Sequence, residues 1–178
     1  MSKTIFLLRH AKSDWANMDL PDHDRPLNSR GKAAADMIGR YFAAAKFAPD
    51  HVYCSTARRA EQTLARIQAA GQLSWQSRPE AGLYGASAET LLKFIQGMEG
   101  AGGDSLMIIG HNPGLEDLVQ VLSADDGPAL SSNNHINMPT GCFVGIECKG
   151  SDFAHITEGQ GKITTFMRPK HEFQEQAF

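Results

Sequence analysis

Short apolar runs alternate along this chain with segments whose apolar residues recur at helical spacing. Residues 4–8 are apolar and β-prone, which predicts a buried strand. From Asn28 or Ser29, either of which can cap a helix, a helical pattern extends to about Ala45. Its predicted apolar face consists of Ala34, Met37, Ile38 and Tyr41. The beginning of the chain therefore predicts a strand followed by a helix.

The same alternation continues through the middle of the chain. Residues 51–54 predict a second strand, after which Ser55 or Thr56 is expected to cap a second helix. The apolar stripe of that helix would be Ala57, Ala60, Leu64 and Ile67. The next predicted elements are a weaker strand around residues 73–76, a helix from about 87 to 98, a strand at 106–109 and a helix after a turn at 110–114.

The last third of the chain has a different pattern. Residues 123–139 are rich in Ser, Asn, Asp and Pro and lack periodicity, which predicts a long surface loop. Residues 142–148, 153–157 and 162–167 predict antiparallel strands. The expected fold is one α/β domain over residues 1–178, a three-layer αβα sandwich whose mostly parallel sheet has an antiparallel edge.

Composition argues against some classes of function. The chain has 178 residues, a formal net charge of -3 and a pI near 6.1, which argues against binding nucleic acid by general phosphate neutralisation. Its three cysteines form an odd set with no CxxC spacing, so a reducing compartment is expected. The early apolar run ends at Arg9 and is too short for a signal peptide or a membrane span. We therefore expect a cytoplasmic protein that binds neither nucleic acid nor a membrane.

Three predicted strands end in polar, reactive sequence. These ends are Arg9-His10, residues 55–59 and residues 110–112. Ligands of open α/β sheets bind at the carboxyl ends of the strands. If neighbouring strands present these segments together, two imidazoles and one or two guanidiniums line the cleft, which predicts an anion site. A neutral imidazole can act as a phosphoryl acceptor, and guanidiniums neutralise phosphoryl oxygens, so this chemistry needs no metal and no cofactor.

The residues at these strand ends resemble the motifs of the histidine phosphatase (phosphoglycerate mutase-like) superfamily, and within it the small SixA-type phosphohistidine phosphatases. The resemblance lies in four segments in the family's order: LLRHAKS at 7–13, RPLNSRG at 25–31, STARRAEQT at 55–63 and IGHNPG at 109–114. It extends to about residue 141. The resemblance implies a phosphoglycerate mutase-like fold and a phosphatase activity.

The resemblance also implies roles for individual residues. His10 would be the nucleophile that becomes phosphohistidine, and Arg9, Arg59 and His111 would bind and neutralise the transferring phosphoryl group. Ser13 and the backbone of Asn112 would add hydrogen bonds.

A general acid is harder to assign. Larger members carry a glutamate shortly before an aromatic-Gly pair, and Glu80 precedes Tyr84-Gly85 here with a slightly different spacing. Glu80 is therefore the candidate acid. A poorly matched acid favours a phosphoramidate substrate, because its imidazole leaving group needs less help than an alkoxide.

Asp22, Asp24 and Arg25 are expected to form a local ion pair in the loop before the first helix.

The sequence thus predicts a metal-independent phosphatase acting on phosphohistidine of a carrier protein through a phosphohistidine intermediate. A general phosphomonoesterase acting on small phosphorylated metabolites is the alternative within the superfamily. A catalytically silent phosphoprotein-binding module is the alternative from another class, although such a module has no need of a nucleophile. The sequence leaves the oligomeric state open, and a monomer is compatible with it.

Overall fold

A computed structural model describes residues 1–123 and 136–169 of the chain. The strands are β1 (Ser2–Arg9), β2 (His51–Ser55), β3 (Ser77–Glu80), β4 (Ser105–Gly110), β5 (Phe143–Lys149) and β6 (Gly161–Met167). The helices are α1 (Ser29–Ala44), α2 (Arg58–Gly71), α3 (Ala88–Gln96) and α4 (Gly114–Leu122). Short 3-10 helices cover Asp22–Asp24, Ala81–Leu83 and Phe153–His155. No described helix is both long and apolar enough to cross a membrane.

The six strands form one sheet in the order β3-β2-β4-β1-β5-β6. The first four of these run parallel, and β5 and β6 pair antiparallel at one edge. Helices α1 and α2 pack on one face of the sheet through Ile38, Phe42 and Ile67. Helices α3 and α4 cover the other face through Leu91 and Leu118. The predicted three-layer arrangement with an antiparallel edge is therefore confirmed.

The buried face of α1 differs from the predicted one. Of the predicted stripe only Ile38 is fully buried, and the helix instead buries Gly31, Ala35, Ile38, Gly39 and Phe42. Two glycines explain why the buried face of the helix is rotated from the predicted one. A Cβ at Gly31 would lie 2.1 Å from Lys12 O, and one at Gly39 would lie 2.3 Å from Ile67 O. The helix packs backbone to backbone at these positions, which apolar periodicity does not register.

Several other predictions need correction. The third strand is Ser77–Glu80 and not 73–76. Leu73 and Trp75, which suggested a strand, pack against the core from the irregular segment between α2 and β3. Residues 153–157 form no strand and instead contain a 3-10 helix. The N-cap of α2 is Ala57, without a side-chain cap hydrogen bond, and not Ser55 or Thr56.

The predicted surface loop is only partly described, since residues 124–135 lie outside the described residues. Its last part is not on the surface, because Met138 is fully buried and Ile136 is only 4% exposed. Met138 has a polar role as well, since its carbonyl meets the side chains of Arg9 and Asn112. This segment therefore reaches the end of the sheet where the candidate site lies.

Candidate active site

Three neighbouring parallel strands bring their carboxyl ends together. In the register of the sheet Arg9 pairs with Gly110, and Cys54 pairs with Ile109. His10 continues this pairing beyond the strand, because its N–H donates to Gly110 O at 3.1 Å. The chain segments that carry His10 and His111 are thereby held side by side, and the two imidazole centroids lie 5.0 Å apart.

The backbone fixes the tautomer of His10. Its Nδ1 lies 2.7 Å from Ala11 O, and since a carbonyl oxygen only accepts, Nδ1 must carry the proton. Nε2 is then unprotonated and accepts a hydrogen bond from Arg59 Nε at 3.2 Å. Ala11 is itself fixed, because its N–H donates to Thr63 Oγ1 at 3.0 Å. The ring therefore presents a lone pair on Nε2, as a nucleophile requires.

Arg59 is the centre of the polar network. It lies in the first turn of α2, and its side chain is 9% exposed. Besides His10, its guanidinium contacts His111 Nδ1 at 3.3 Å, Asp22 O at 2.6 Å and Asp22 Oδ2 at 2.9 Å. A planar fork with several fixed donors is suited to making all four contacts at once.

His111 has the opposite tautomer to His10. Arg59 donates to its Nδ1, so Nε2 carries the proton and donates to Ser55 Oγ at 2.8 Å. Ser55 is fully buried at the end of β2. Ser55 was expected only as a helix cap within its motif, whereas its hydroxyl in fact orients His111.

Arg9 has donors that the protein does not use. Its Nη1 donates to Met138 O at 2.7 Å, whereas its buried Nε has no hydrogen-bond partner in the described part of the chain. Burial lowers the pKa of Arg9; Glu116 opposes this, and the charge of Arg59 adds to it. Two guanidiniums that repel one another around neutral imidazoles form a site for an anion.

Both histidines are neutral at physiological pH. Burial lowers the pKa of His10 to about 4; the Ala11 hydrogen bond opposes this, and the charges of Arg59 and Arg9 reinforce it. Burial also lowers the pKa of His111 to about 3, helped by His10 and Arg59. The negative charge of Asp22 raises both values, but the other effects are larger. An unprotonated ring at neutral pH is the reactive form of a histidine nucleophile.

In the described part of the chain, three predicted site residues have no hydrogen bond to the two imidazoles or to Arg59. Ser13 accepts a hydrogen bond from Trp15 Nε1 at 3.1 Å, and Asn112 donates from Nδ2 to Met138 O at 3.0 Å. Glu80 ends β3 beside Ser55, and its carboxylate accepts from Gly82 N at 2.9 Å. Their proposed roles stay predictions.

Asp22 and Tyr84 are the residues that sequence reasoning missed. Asp22 was expected to pair locally with Arg25, but its carboxylate accepts from Arg59 and from Tyr84 Oη, the latter at 2.8 Å. The Tyr84 ring stands edge-on to His111, with the centroids 5.5 Å apart. The contact with Arg59 had no signal in the sequence, because Asp22 lies outside the four motifs and 37 positions from Arg59.

Comparison with known proteins agrees with this geometry. The sequence profile of the histidine phosphatase superfamily (branch 1) matches residues 5–81. An uncharacterized protein of Mycobacterium tuberculosis is 32% identical over 165 residues, which cover 92% of this chain and 100% of the relative. This chain belongs to the histidine phosphatase superfamily. It is accordingly a phosphatase, a hydrolase of phosphoryl groups.

Solved structures of this superfamily share the fold. A protein assigned as phosphohistidine phosphatase SixA from Nakamurella multipartitia has a TM-score of 0.78 and 27% identity, over 95% of this chain and 97% of that one. A protein with the same assignment from Agrobacterium tumefaciens has a TM-score of 0.75 and 27% identity, over 94% and 99% of the two chains. The histidine phosphatase is thus of the SixA type, and the predicted phosphoglycerate mutase-like fold is confirmed.

Proposed function

We propose that this histidine phosphatase removes the phosphoryl group from phosphohistidine on a protein, by transferring it first to its own His10. The observation that carries the proposal is the lone pair of His10 Nε2. The Ala11 carbonyl fixes the tautomer, burial keeps the ring neutral, and Arg59 lies beside the reactive nitrogen. These are the conditions under which an imidazole acts as a nucleophile.

In the first step His10 Nε2 attacks phosphorus while the bond from phosphorus to the substrate nitrogen breaks. Arg59 Nε–H, which donates to Nε2 in the free enzyme, moves its hydrogen bond to a phosphoryl oxygen. The unpaired Nε–H of Arg9 supplies a second donor. Because a bound dianion raises the pKa of a neighbouring imidazole, His111 Nδ1 can take up a proton and become a third donor.

In the second step water attacks the phosphorus of the phosphorylated enzyme. The bond between phosphorus and Nε2 breaks, its electron pair returns to Nε2, and the proton lost by water goes to the phosphate or to solvent. The same donors stabilise both transition states, because the charge on the equatorial oxygens is alike in the two steps.

Two observations favour a phosphohistidine substrate over an alkyl phosphate ester. The Glu80 carboxylate accepts from Gly82 N, and among the described residues it has no hydrogen bond to His10, Arg59 or His111. The two structures that resemble this one at 27% identity both carry the SixA phosphohistidine phosphatase assignment. An imidazole can leave without an enzymatic acid, whereas an alkoxide needs its oxygen protonated.

The test is the rate of phosphate release from a histidine-phosphorylated carrier protein and from para-nitrophenyl phosphate. We expect the wild-type enzyme to act on the carrier, and His10→Ala to lose at least about a thousandfold in kcat together with the acid-labile phosphoenzyme. His155→Ala is the matched control, because His155 is exposed and lies outside the site. Hydrolysis of the small ester alone would instead identify a general phosphomonoesterase, and full activity of His10→Ala would refute the mechanism.

A further inference from the structure

Asp22 brings a carboxylate to the mouth of the active site. Its side chain is 48% exposed, and it accepts two hydrogen bonds, one from Arg59 and one from Tyr84. Both end on Oδ2, so Oδ1 has no hydrogen-bond partner among the described residues. One carboxylate oxygen therefore fixes the group in place, while the other is left as an acceptor that a substrate can reach.

The surroundings of Asp22 keep it ionised. Burial raises the pKa of Asp22, but the hydrogen bonds from Tyr84 and Arg59, together with the positive charge of Arg59 and Arg25, hold it below the usual range. The titratable and charged side chains around it are Arg25, Arg59, Tyr84, His10, His111 and the neighbouring His23. An ionised carboxylate cannot donate a proton to a leaving group, but it accepts a hydrogen bond well.

We propose that Asp22 selects phosphohistidine by accepting a hydrogen bond at Oδ1 from the ring N–H on the far side of the substrate imidazole. The inference rests on the proposed function and adds a specificity-determining residue to it. In a singly phosphorylated imidazole one nitrogen bears phosphorus, and the other can carry a proton. A carboxylate beside that second nitrogen favours the protonated, cationic ring.

The protonated ring is the form that leaves readily. When His10 Nε2 attacks phosphorus, the electron pair of the breaking P–N bond stays on the substrate nitrogen. The proton on the other ring nitrogen remains where it is, so a neutral imidazole departs and no acid has to act. Without that proton the ring would leave as an imidazolate, a much poorer leaving group.

The same carboxylate gains nothing from an alkyl phosphate ester. An ester oxygen offers no N–H to Oδ1, and its departing alkoxide receives no proton from an ionised Asp22. A negative charge close to the phosphoryl site also repels the phosphate dianion, a cost that a cationic substrate ring offsets. Asp22 would therefore discriminate between two classes of substrate that share one phosphoryl site.

The experiment compares kcat/KM of the wild type, Asp22→Asn and Asp24→Asn on the histidine-phosphorylated carrier and on para-nitrophenyl phosphate. Asparagine keeps the size of the side chain and an acceptor oxygen but removes the charge. We expect Asp22→Asn to lose about tenfold more on the carrier than on the ester, the difference of one charge-assisted hydrogen bond. Asp24→Asn should match the wild type on both, because the Asp24 side chain is exposed and, among the described residues, is paired with His23 and with no group of the site.

The pH profile separates specificity from structural support. If Asp22 stabilises the protonated substrate ring, the alkaline limb of kcat on the carrier should move to lower pH in Asp22→Asn, by about one unit. Equal losses on both substrates with an unmoved limb would overturn the proposal and leave Asp22 a support for Arg59. A wild-type enzyme that acts on the ester but not on the carrier would overturn the proposed function itself.

Discussion

The two ends of the central sheet are built on different principles. At the amino end, Asp50 Oδ2 accepts from Asp104 N, Ser105 N and Ser105 Oγ, and the buried Lys3 is paired with Asp104 at 2.9 Å. These hydrogen bonds hold the pKa of Asp50 below its usual range. At this end, each of these charges already has its partner within the protein.

The carboxyl end leaves its charges incompletely matched. Arg9 and Arg59 lie around two neutral imidazoles, the Nε of Arg9 is buried without a partner in the described residues, and Asp22 is the carboxylate that contacts Arg59. One end of these strands thus stabilises the fold, and the other end carries the reactive groups. We therefore expect substitutions at the carboxyl end to change activity, and substitutions at the amino end to change the free energy of unfolding.

Apart from the loss in His10→Ala, the largest effect is expected from Arg59→Lys. An ammonium cannot reproduce the planar fork that contacts His10, His111 and Asp22 together, so kcat/KM should fall by about a hundredfold to a thousandfold. Arg58→Lys is the matched control, because Arg58 is the next residue in the chain and its side chain is exposed. Wild-type activity in Arg59→Lys would mean that positive charge alone, and not the fork, carries the effect.

The next effect concerns pH. An unfolded histidine titrates near 6.5, whereas burial lowers the pKa of His10 to about 4 in the folded enzyme. Between these values the unfolded state binds more protons, so the free energy of unfolding falls as the pH falls, by up to about 1.4 kcal/mol per unit. In urea titrations from pH 6.5 to 4.5, His10→Asn should lose less stability than the wild type. His155→Asn should keep the wild-type slope, and an equal slope in all three would contradict the neutral buried ring.

A smaller effect is expected from inorganic phosphate. An anion that neutralises Arg9 and Arg59 binds the folded state only, so ten times its Kd should add about 1.4 kcal/mol and raise Tm by roughly 3–6 °C. Chloride at equal ionic strength is the control in the thermal scan. The rise should disappear in Arg59→Ala, which removes the charge, and its survival there would place the phosphate elsewhere.

The smallest effect is expected at the amino end, from Asp50→Ala. The variant loses three hydrogen bonds, but Asp50 is exposed and water replaces much of them, so the free energy of unfolding should fall by about 1 kcal/mol. Its kcat/KM at a temperature where it is folded should equal that of the wild type. A loss of activity beyond the loss of folded protein would show that the two ends of the sheet are coupled.

The order of strands and helices was predictable where hydrophobic pattern and position agreed. Strand β4 is buried on both faces after its first residue, and β1 contains an apolar run at residues 5–8. The polar ends of these two strands identified His10 and His111. The edge strand β3 was misplaced because its sequence SRPE carries no apolar pattern, while Trp75 beside it does. Edge strands are defined by backbone pairing more than by side-chain burial, so periodicity locates them poorly.

The candidate site was predictable only as far as its motifs reach. His10 and Arg59 stand in segments whose residue types already suggest phosphoryl chemistry. Asp22 stands in a loop whose charges suggested local pairing, and only the folded chain brings it to Arg59. Contacts of this kind depend on the path that the loop between β1 and α1 takes in the folded chain. Neither residue propensity nor motif spacing predicts that path.

The central position of β1 has a consequence for biosynthesis. Its hydrogen-bonded neighbours are β4 and β5, and Arg9 contacts the carbonyl of Met138, which is 129 positions away along the chain. A ribosome adding about 5–20 residues per second makes His10 on the order of ten seconds before the last segment that supports it. Phosphatase activity should therefore arise only after most of the polypeptide has emerged, and a nascent chain stalled before β5 would carry His10 without a site around it.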